Sequence, residues 1–303
     1  MTYRTFQHFT RRSQRGLAFT VVELMVAVSI MTLIVLALYG MFDQVQKALR
    51  GNVAQVDVLE GGRAAMELMT REMEQIQAGN VLNWTNLYAG FGQDRLGQVQ
   101  LPFRQELLGQ NEYRTNVLQE VFFLSHFNKQ WSGTGYRVLA SDLKSGLFNQ
   151  FAMIGVGTLA RYSTNIHDSY LTKSNLCDLI MNPDPRNLTN HYQRLVDGVV
   201  HFRIRAFDTN GYPMTYLTNK YDGVKMRNDG NNTGETRYAF TNKAVPAYLE
   251  LELGILEPQA LEKLKSFPTP AAKTNFLAKQ TGKIHLFQQR IPIRAYKDPT
   301  LIK

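Results

Sequence analysis

The chain has 303 residues, of which 44% are hydrophobic and 19% charged, and its formal net charge is +9. Such a composition excludes a disordered polyelectrolyte and supplies a core for one or two globular units. A single cysteine, Cys177, excludes an intramolecular disulfide, and no Cys/His spacing suits zinc. Arg4, Arg11, Arg12 and Arg15 supply four of the nine net positive charges. The rest of the basic excess is scattered, which reads as solvation rather than a nucleic-acid face.

Residues 11–18, Arg-Arg-Ser-Gln-Arg-Gly-Leu-Ala, precede an apolar run from Phe19 to Phe42 with one charged side chain, Glu23. At 1.5 Å per residue the run spans roughly 35 Å as a helix, enough to cross a bilayer. Basic residues lie before it and none inside it, which predicts a cytoplasmic N-terminus with the bulk of the chain outside. A lone carboxylate in a membrane segment is costly, so Glu23 is a functional candidate. An ordinary signal peptide has a shorter apolar region with the cleavage site after it.

The basic leader, the small residue and the block Phe19-Thr20-Val21-Val22-Glu23-Leu24 resemble the N-terminal signal of type IV prepilins and type II secretion pseudopilins. The resemblance implies cleavage between Ala18 and Phe19 by a prepilin peptidase and N-methylation of Phe19. Ala18 stands where the family usually has Gly. Glu23 matches the family's carboxylate at the fifth position of the mature chain, which implies a role in assembly. The implied partners are other pilin or pseudopilin subunits through the N-terminal helix, the peptidase, an inner-membrane assembly platform, and the lipid bilayer before assembly. The implied location is the inner membrane, single-pass, with a periplasmic or extracellular head that joins a filament.

Beyond Phe42, Val45, Leu49, Val53, Val56 and Leu59 recur every three or four residues, which predicts an amphipathic continuation of the helix. Gly61-Gly62 predicts a bend or brief unwinding. The helical pattern resumes from Arg63, with Ala65, Leu68, Met69, Met73 and Ile76 on one side, and stops at Ala78-Gly79-Asn80. The run Arg63–Ile76 is similar to the corresponding segment of J-type pseudopilins and W-type minor pilins, with Arg71-Glu72-Met73 in place of a typical Arg-Asp-Leu.

Past Asn80 the pattern turns to short strands. Expected strands cover 97–103, 117–125, 136–140 and 151–163, with a Gly-rich loop at 131–135, a loop at 182–186 and a helical turn at 188–195. In Val196–Asp208, Val200, Phe202, Ile204 and Ala206 alternate with His201, Arg203 and Arg205, which predicts a strand with one buried face and His201 on the outer one. Residues 218–237 read as a long exposed loop. A second alternating strand covers 245–256, Pro258 opens a helix to Ser266, and a closing strand covers 283–296. The order of these strands also looks like J/W-type heads.

The expected fold is therefore α+β: a long N-terminal helical spine, transmembrane then amphipathic, with a mainly antiparallel β-sheet head. The divisions are 1–18 leader, 19–42 membrane and assembly helix, 43–79 amphipathic half and 80–303 head. Function read this way is that of a minor subunit of a type IV pilus or type II secretion pseudopilus, not an enzyme. The alternative is a membrane-anchored binding protein or enzyme exported on a pilin-like signal. No Gly-x-Ser-x-Gly elbow, Walker or dinucleotide glycine pattern is present, and no cofactor is expected. Asp208, Asn210 and Asp229 lie in Asx/Gly-rich turns that offer calcium-type oxygen ligands without EF-hand spacing.

Overall fold

The computed structural model describes residues 20–79, 84–91, 103–107, 112–139, 155–167, 176–181, 192–218, 221–228 and 235–294. The chain forms two compact units, Met1–Val53 and Ala54–Lys303.

The described part of the first unit is helical from Val21 and exposed along its apolar length, with Leu24 at 60% and Leu33 at 67%. This helix, α1 (Val21–Met73), continues into the second unit without interruption. Its membrane-length stretch has a mean hydropathy of 2.6 and no buried residue. The Ser29 hydroxyl donates to the Met25 carbonyl (2.8 Å) and the Thr32 hydroxyl to the Val28 carbonyl (2.7 Å), so neither is left unpaired. Lipid imposes that condition on any polar side chain within a span.

In the second unit, nine strands form one curled antiparallel sheet among the described residues. They are β1 (Thr85–Phe91), β4 (Gln119–Phe127), β5 (Gln130–Leu139), β6 (Gly157–His167), β7 (Tyr192–Phe207), β8 (Val224–Asn228), β9 (Thr236–Thr241), β10 (Tyr248–Leu256) and β11 (Ile284–Pro292). Their order is β11-β10-β7-β6-β5-β4-β1-β9-β8, and β2 (Phe103–Glu106) and β3 (Tyr113–Asn116) make a separate antiparallel pair. The outer face carries α2 (Leu176–Met181), α3 (Pro258–Ser266) and α4 (Pro270–Ala278), the last capped by Thr269. The fold is therefore α+β.

The end of α1 supplies the other face of the core. Val58, Ala65, Met66, Met69, Met73 and Ile76 join Leu87, Val121, Phe123, Phe202, Ile204, Leu251 and Leu253 in one buried cluster. Their spacing is the three-and-four repeat of a helix seated on a sheet. Glu72, one turn from Met69, pairs with Arg161 of β6 at 2.6 Å and accepts from the Tyr136 hydroxyl. α1 stops at Met73 rather than near Ala78, because Ile76 bridges to Ser125 and Gln77 N–H donates to the Leu124 carbonyl. Sheet hydrogen bonds take over from helix bonds there. Buried Asn86 secures this exit, accepting from Gly79 N–H (2.8 Å) and donating to the Asn242 and Ala244 carbonyls.

No unwinding occurs at Gly61-Gly62, since α1 is one helix through both. Gly62 serves close packing instead: a Cβ there would lie 2.3 Å from the Phe287 ring and 3.1 Å from Ile255. At Gly61 a Cβ would meet only Val196, at 3.7 Å. Two neighbouring Gly→Ala changes should thus have opposite signs in denaturant unfolding. Gly61→Ala stabilises by up to about 1 kcal/mol through helix propensity. Gly62→Ala forces Phe287 off its site and destabilises by about 1–2 kcal/mol net of that gain. Equal stabilisation by both would refute the packing explanation.

Several sequence expectations change. The stretch 131–135 is not a loop but part of β5, and its hairpin turn is Asn128-Lys129, with φ of 51° and 61°. Gly133 and Gly135 lie under Leu176 and Ile180 of α2, where side chains would collide. Residues 192–195 are extended in β7, since they pair with β6. Within 218–237 runs β8, whose Val224 and Met226 are buried, and β9 begins at Thr236. Val200 leaves the face of Phe202, Ile204 and Ala206 to join the α3–α4 cluster with Leu256 and Leu264. The cause is a register shift between Gly254 and Ile255, where β7 carries one extra residue. Expected strand residues 97–102 and 151–154, the loop at 182–186 and residues 188–191 lie outside the described residues.

Candidate functional site

Thr20 is the N-cap of α1, and Glu23 occupies the third helical position. Thr20 N–H donates to Glu23 Oε2 at 3.0 Å, the Thr20 hydroxyl donates to the same oxygen at 3.1 Å, and Glu23 N–H donates to Thr20 Oγ1 at 3.3 Å. This is a capping box, in which two otherwise orphaned donors are satisfied reciprocally. It also places a negative charge where the helix dipole favours one. Among the described residues, Oε1 of Glu23 has no donor, so one carboxylate oxygen is open to a partner. The Thr-x-x-Glu spacing that carries this box is visible in the sequence, and Thr20 is the residue that sequence reading passed over. Ala18 and Phe19 lie outside the described residues.

Of the calcium candidates, Asp208 and Asn210 share one turn, and both Asp208 oxygens are engaged, Oδ1 accepting from Tyr212 N–H at 2.8 Å and Oδ2 from the Tyr221 hydroxyl at 3.3 Å. Asn210 sits exposed in that turn, and Asp229 lies outside the described residues. Among the described residues no group of three or more His, Cys, Asp or Glu side chains could hold a metal ion. Cys177 is buried in α2, and burial, aided by Asp178, pushes its thiol up to about 12, away from reactivity.

His201 is on the outer face of β7, as expected, but is only 1% exposed. The segment entering β4 lies against β7 there: Phe202 N–H donates to the Val117 carbonyl (2.7 Å), and Gln119 Oε1 accepts from Ile204 N–H (2.7 Å). His201 Nδ1 accepts from Val117 N–H at 3.2 Å, so Nε2 carries the proton and donates to Glu252 at 3.0 Å. Gly254, opposite His201, leaves room for the ring, since a Cβ there would sit 2.8 Å from that of His201. A glycine inside the Leu-Gly-Ile strand was the available signal of this crowding.

Burial lowers the His201 pKa from 6.5, with the Arg203 charge acting the same way against the Glu252 hydrogen bond. Burial would raise Glu252, but hydrogen bonds from His201 and Arg203 outweigh it and hold the carboxyl at about 2. Both groups bind protons more readily unfolded than folded, so stability falls on acidification. The His201 contribution is complete above pH 6.5 and declines below it, and the Glu252 contribution declines from 4.5 toward 2. In urea titrations the midpoint should begin to fall below pH 6.5, and His201→Asn should flatten that upper limb. An unchanged upper limb would remove His201 from the account.

A scan against protein-family models and a search of curated proteins find no match for this chain.

Proposed function

We propose that the chain is a minor pilin-like structural subunit of a type IV pilus or type II secretion pseudopilus. The observation that carries the reading is the junction of a Phe19-Thr-x-x-Glu-Leu block with one helix, exposed and apolar at its start, whose last five turns lie in the core of an antiparallel sheet. In this reading the prepilin peptidase cuts between Ala18 and Phe19, and the new α-amine is methylated. The helix first anchors the chain in the inner membrane, with the N-terminus cytoplasmic and the sheet unit periplasmic or extracellular. The assembly platform then moves it into a bundle of neighbouring subunits. Glu23, whose Oε1 has no donor among the described residues, meets the Phe19 amine of a neighbour and sets the axial register.

The J/W-type likeness of Arg63–Ile76 supports a minor position, and Glu72 gives that segment a physical role in docking α1 on β5 and β6. The chain acts by assembly rather than catalysis. Purification from membranes in mild detergent should recover other chains that begin with a Phe-Thr-x-x-Glu type block. Recovery of a lone monomer with hydrolytic activity would favour an exported enzyme instead.

A further inference from the structure

The outer face of the sheet holds a groove of about 610 Å³ between β3 and the strands β7, β10 and β11. Three arginines line it. Arg203 is paired with Glu235 at 3.0 Å and Glu252 at 2.6 Å, and Arg205 makes a longer contact with Glu250 at 3.5 Å. Arg114 differs. Its hydrogen bond goes to the neutral Gln105 Oε1 at 2.7 Å, and among the described residues it has no ion pair. Gln105 is itself fixed, donating to the Leu277 carbonyl and accepting from Asn116. Arg114 is therefore a half-buried cation that makes no direct ion pair among the described residues, a costly arrangement unless something completes it. Burial pulls its pKa down and Glu252 offsets this only in part.

Of the six buried side-chain polar atoms without a hydrogen-bond partner among the described residues, two, Arg114 Nε and Arg203 Nε, belong to residues that line the groove. The groove's remaining walls include Tyr113 and Leu286, which are 53% and 45% exposed. Since Glu235 and Glu252 line the groove too, a dianion such as phosphate meets like charge, whereas a single carboxylate balances Arg114. An apolar or ring body attached to it would lie on Tyr113 and Leu286.

We infer that this groove binds a carboxylate-bearing ligand, with the Arg114 guanidinium as its counter-ion. The carboxylate belongs either to a small organic acid or to a peptide C-terminus. This site is separate from the assembly helix and does not depend on its role.

The test uses the full chain in detergent micelles and two acid–amide pairs: phenylacetate with phenylacetamide, and acetyl-Phe-Ala with its C-terminal amide. Saturable one-site binding of either acid and not of its amide is expected, weakening as salt rises. Which acid binds more tightly identifies the source. Arg114→Gln should weaken binding at least tenfold, the loss of a charge-assisted contact, whereas Arg104→Gln, exposed on β2, should leave it unchanged. Arg114→Lys keeps the charge without the planar fork and should bind at intermediate strength. No saturable binding of either acid, equal binding of acid and amide, or equal loss in the Arg104 and Arg114 variants would overturn the inference. The acid–amide comparison on the unaltered chain decides it even if a variant misfolds.

Discussion

If the chain is the pilin-like subunit proposed above, replacing Glu23 by Val should yield a chain that is cut and held in the membrane normally but is not recruited into filaments. The change removes two things at once. One is the capping box with Thr20, worth about 1 kcal/mol to the helix end. The other, in the proposed assembly, is the carboxylate that meets a neighbour's amine in hydrocarbon. Leaving one partner of a buried ion pair uncompensated costs about 3–5 kcal/mol, more than a hundredfold in the assembly equilibrium. The charge term therefore dominates. Glu23→Gln separates the two, because glutamine keeps the capping geometry and loses only the charge. Quantifying the chain in sheared filaments against the membrane pool checks it. Normal incorporation of Glu23→Gln would reduce Glu23 to a helix cap.

The second large effect lies in the sheet. Arg137 of β5 and Glu120 of β4 form a pair with 8% and 7% of their side chains exposed, at 2.6 Å. Arg137 also donates to the Met181 carbonyl at the end of α2 (2.8 Å), so the pair secures α2 over Gly133 and Gly135. Burial would weaken the Arg137 charge, but Glu120 outweighs it and raises the guanidinium pKa. Glu120→Ala leaves that cation buried without its counter-ion and should destabilise the chain by about 3–5 kcal/mol. Replacing both residues by Met should recover most of the loss, since apolar substitutes for a buried pair are often neutral or better. Urea midpoints for Glu120→Ala and the double Met variant check this. A single-variant loss below about 1 kcal/mol would mean the site admits water.

The N-terminal helix was legible because its signals are local: an apolar run with a single charge, its basic flank, and the three-and-four repeat that places Met69 and Met73 in the core. The alternating parts of β7 and β10 were legible for the same reason. What escaped depends on partners distant in sequence. β1 was missed because both its faces are covered, so Asn86 and Leu87 are buried side by side and no alternation shows. The first half of β5 was hidden by Gly133 and Gly135, which read as loop residues until α2 is seen to cross them, whereas its second half from Tyr136 was expected as a strand. His201 read as exposed because its cover comes from Val117, 84 residues earlier. Gly62 read as a weak point because Phe287, which needs its missing side chain, lies on the last strand. At the candidate site the same division holds. Glu23 stands out by composition, whereas its bond to Thr20 required recognising that the same Thr-x-x-Glu is also a helix start.

We propose that the apolar run Phe19–Phe42 begins life behind a leader and becomes an assembly element once that leader is removed. Intact-mass and N-terminal analysis of the chain isolated from membranes of cells with an active prepilin peptidase tests it most directly. The account predicts a chain that starts at Phe19 with a methylated amine. A chain that starts at Met1, or one cut after Met41, would contradict it.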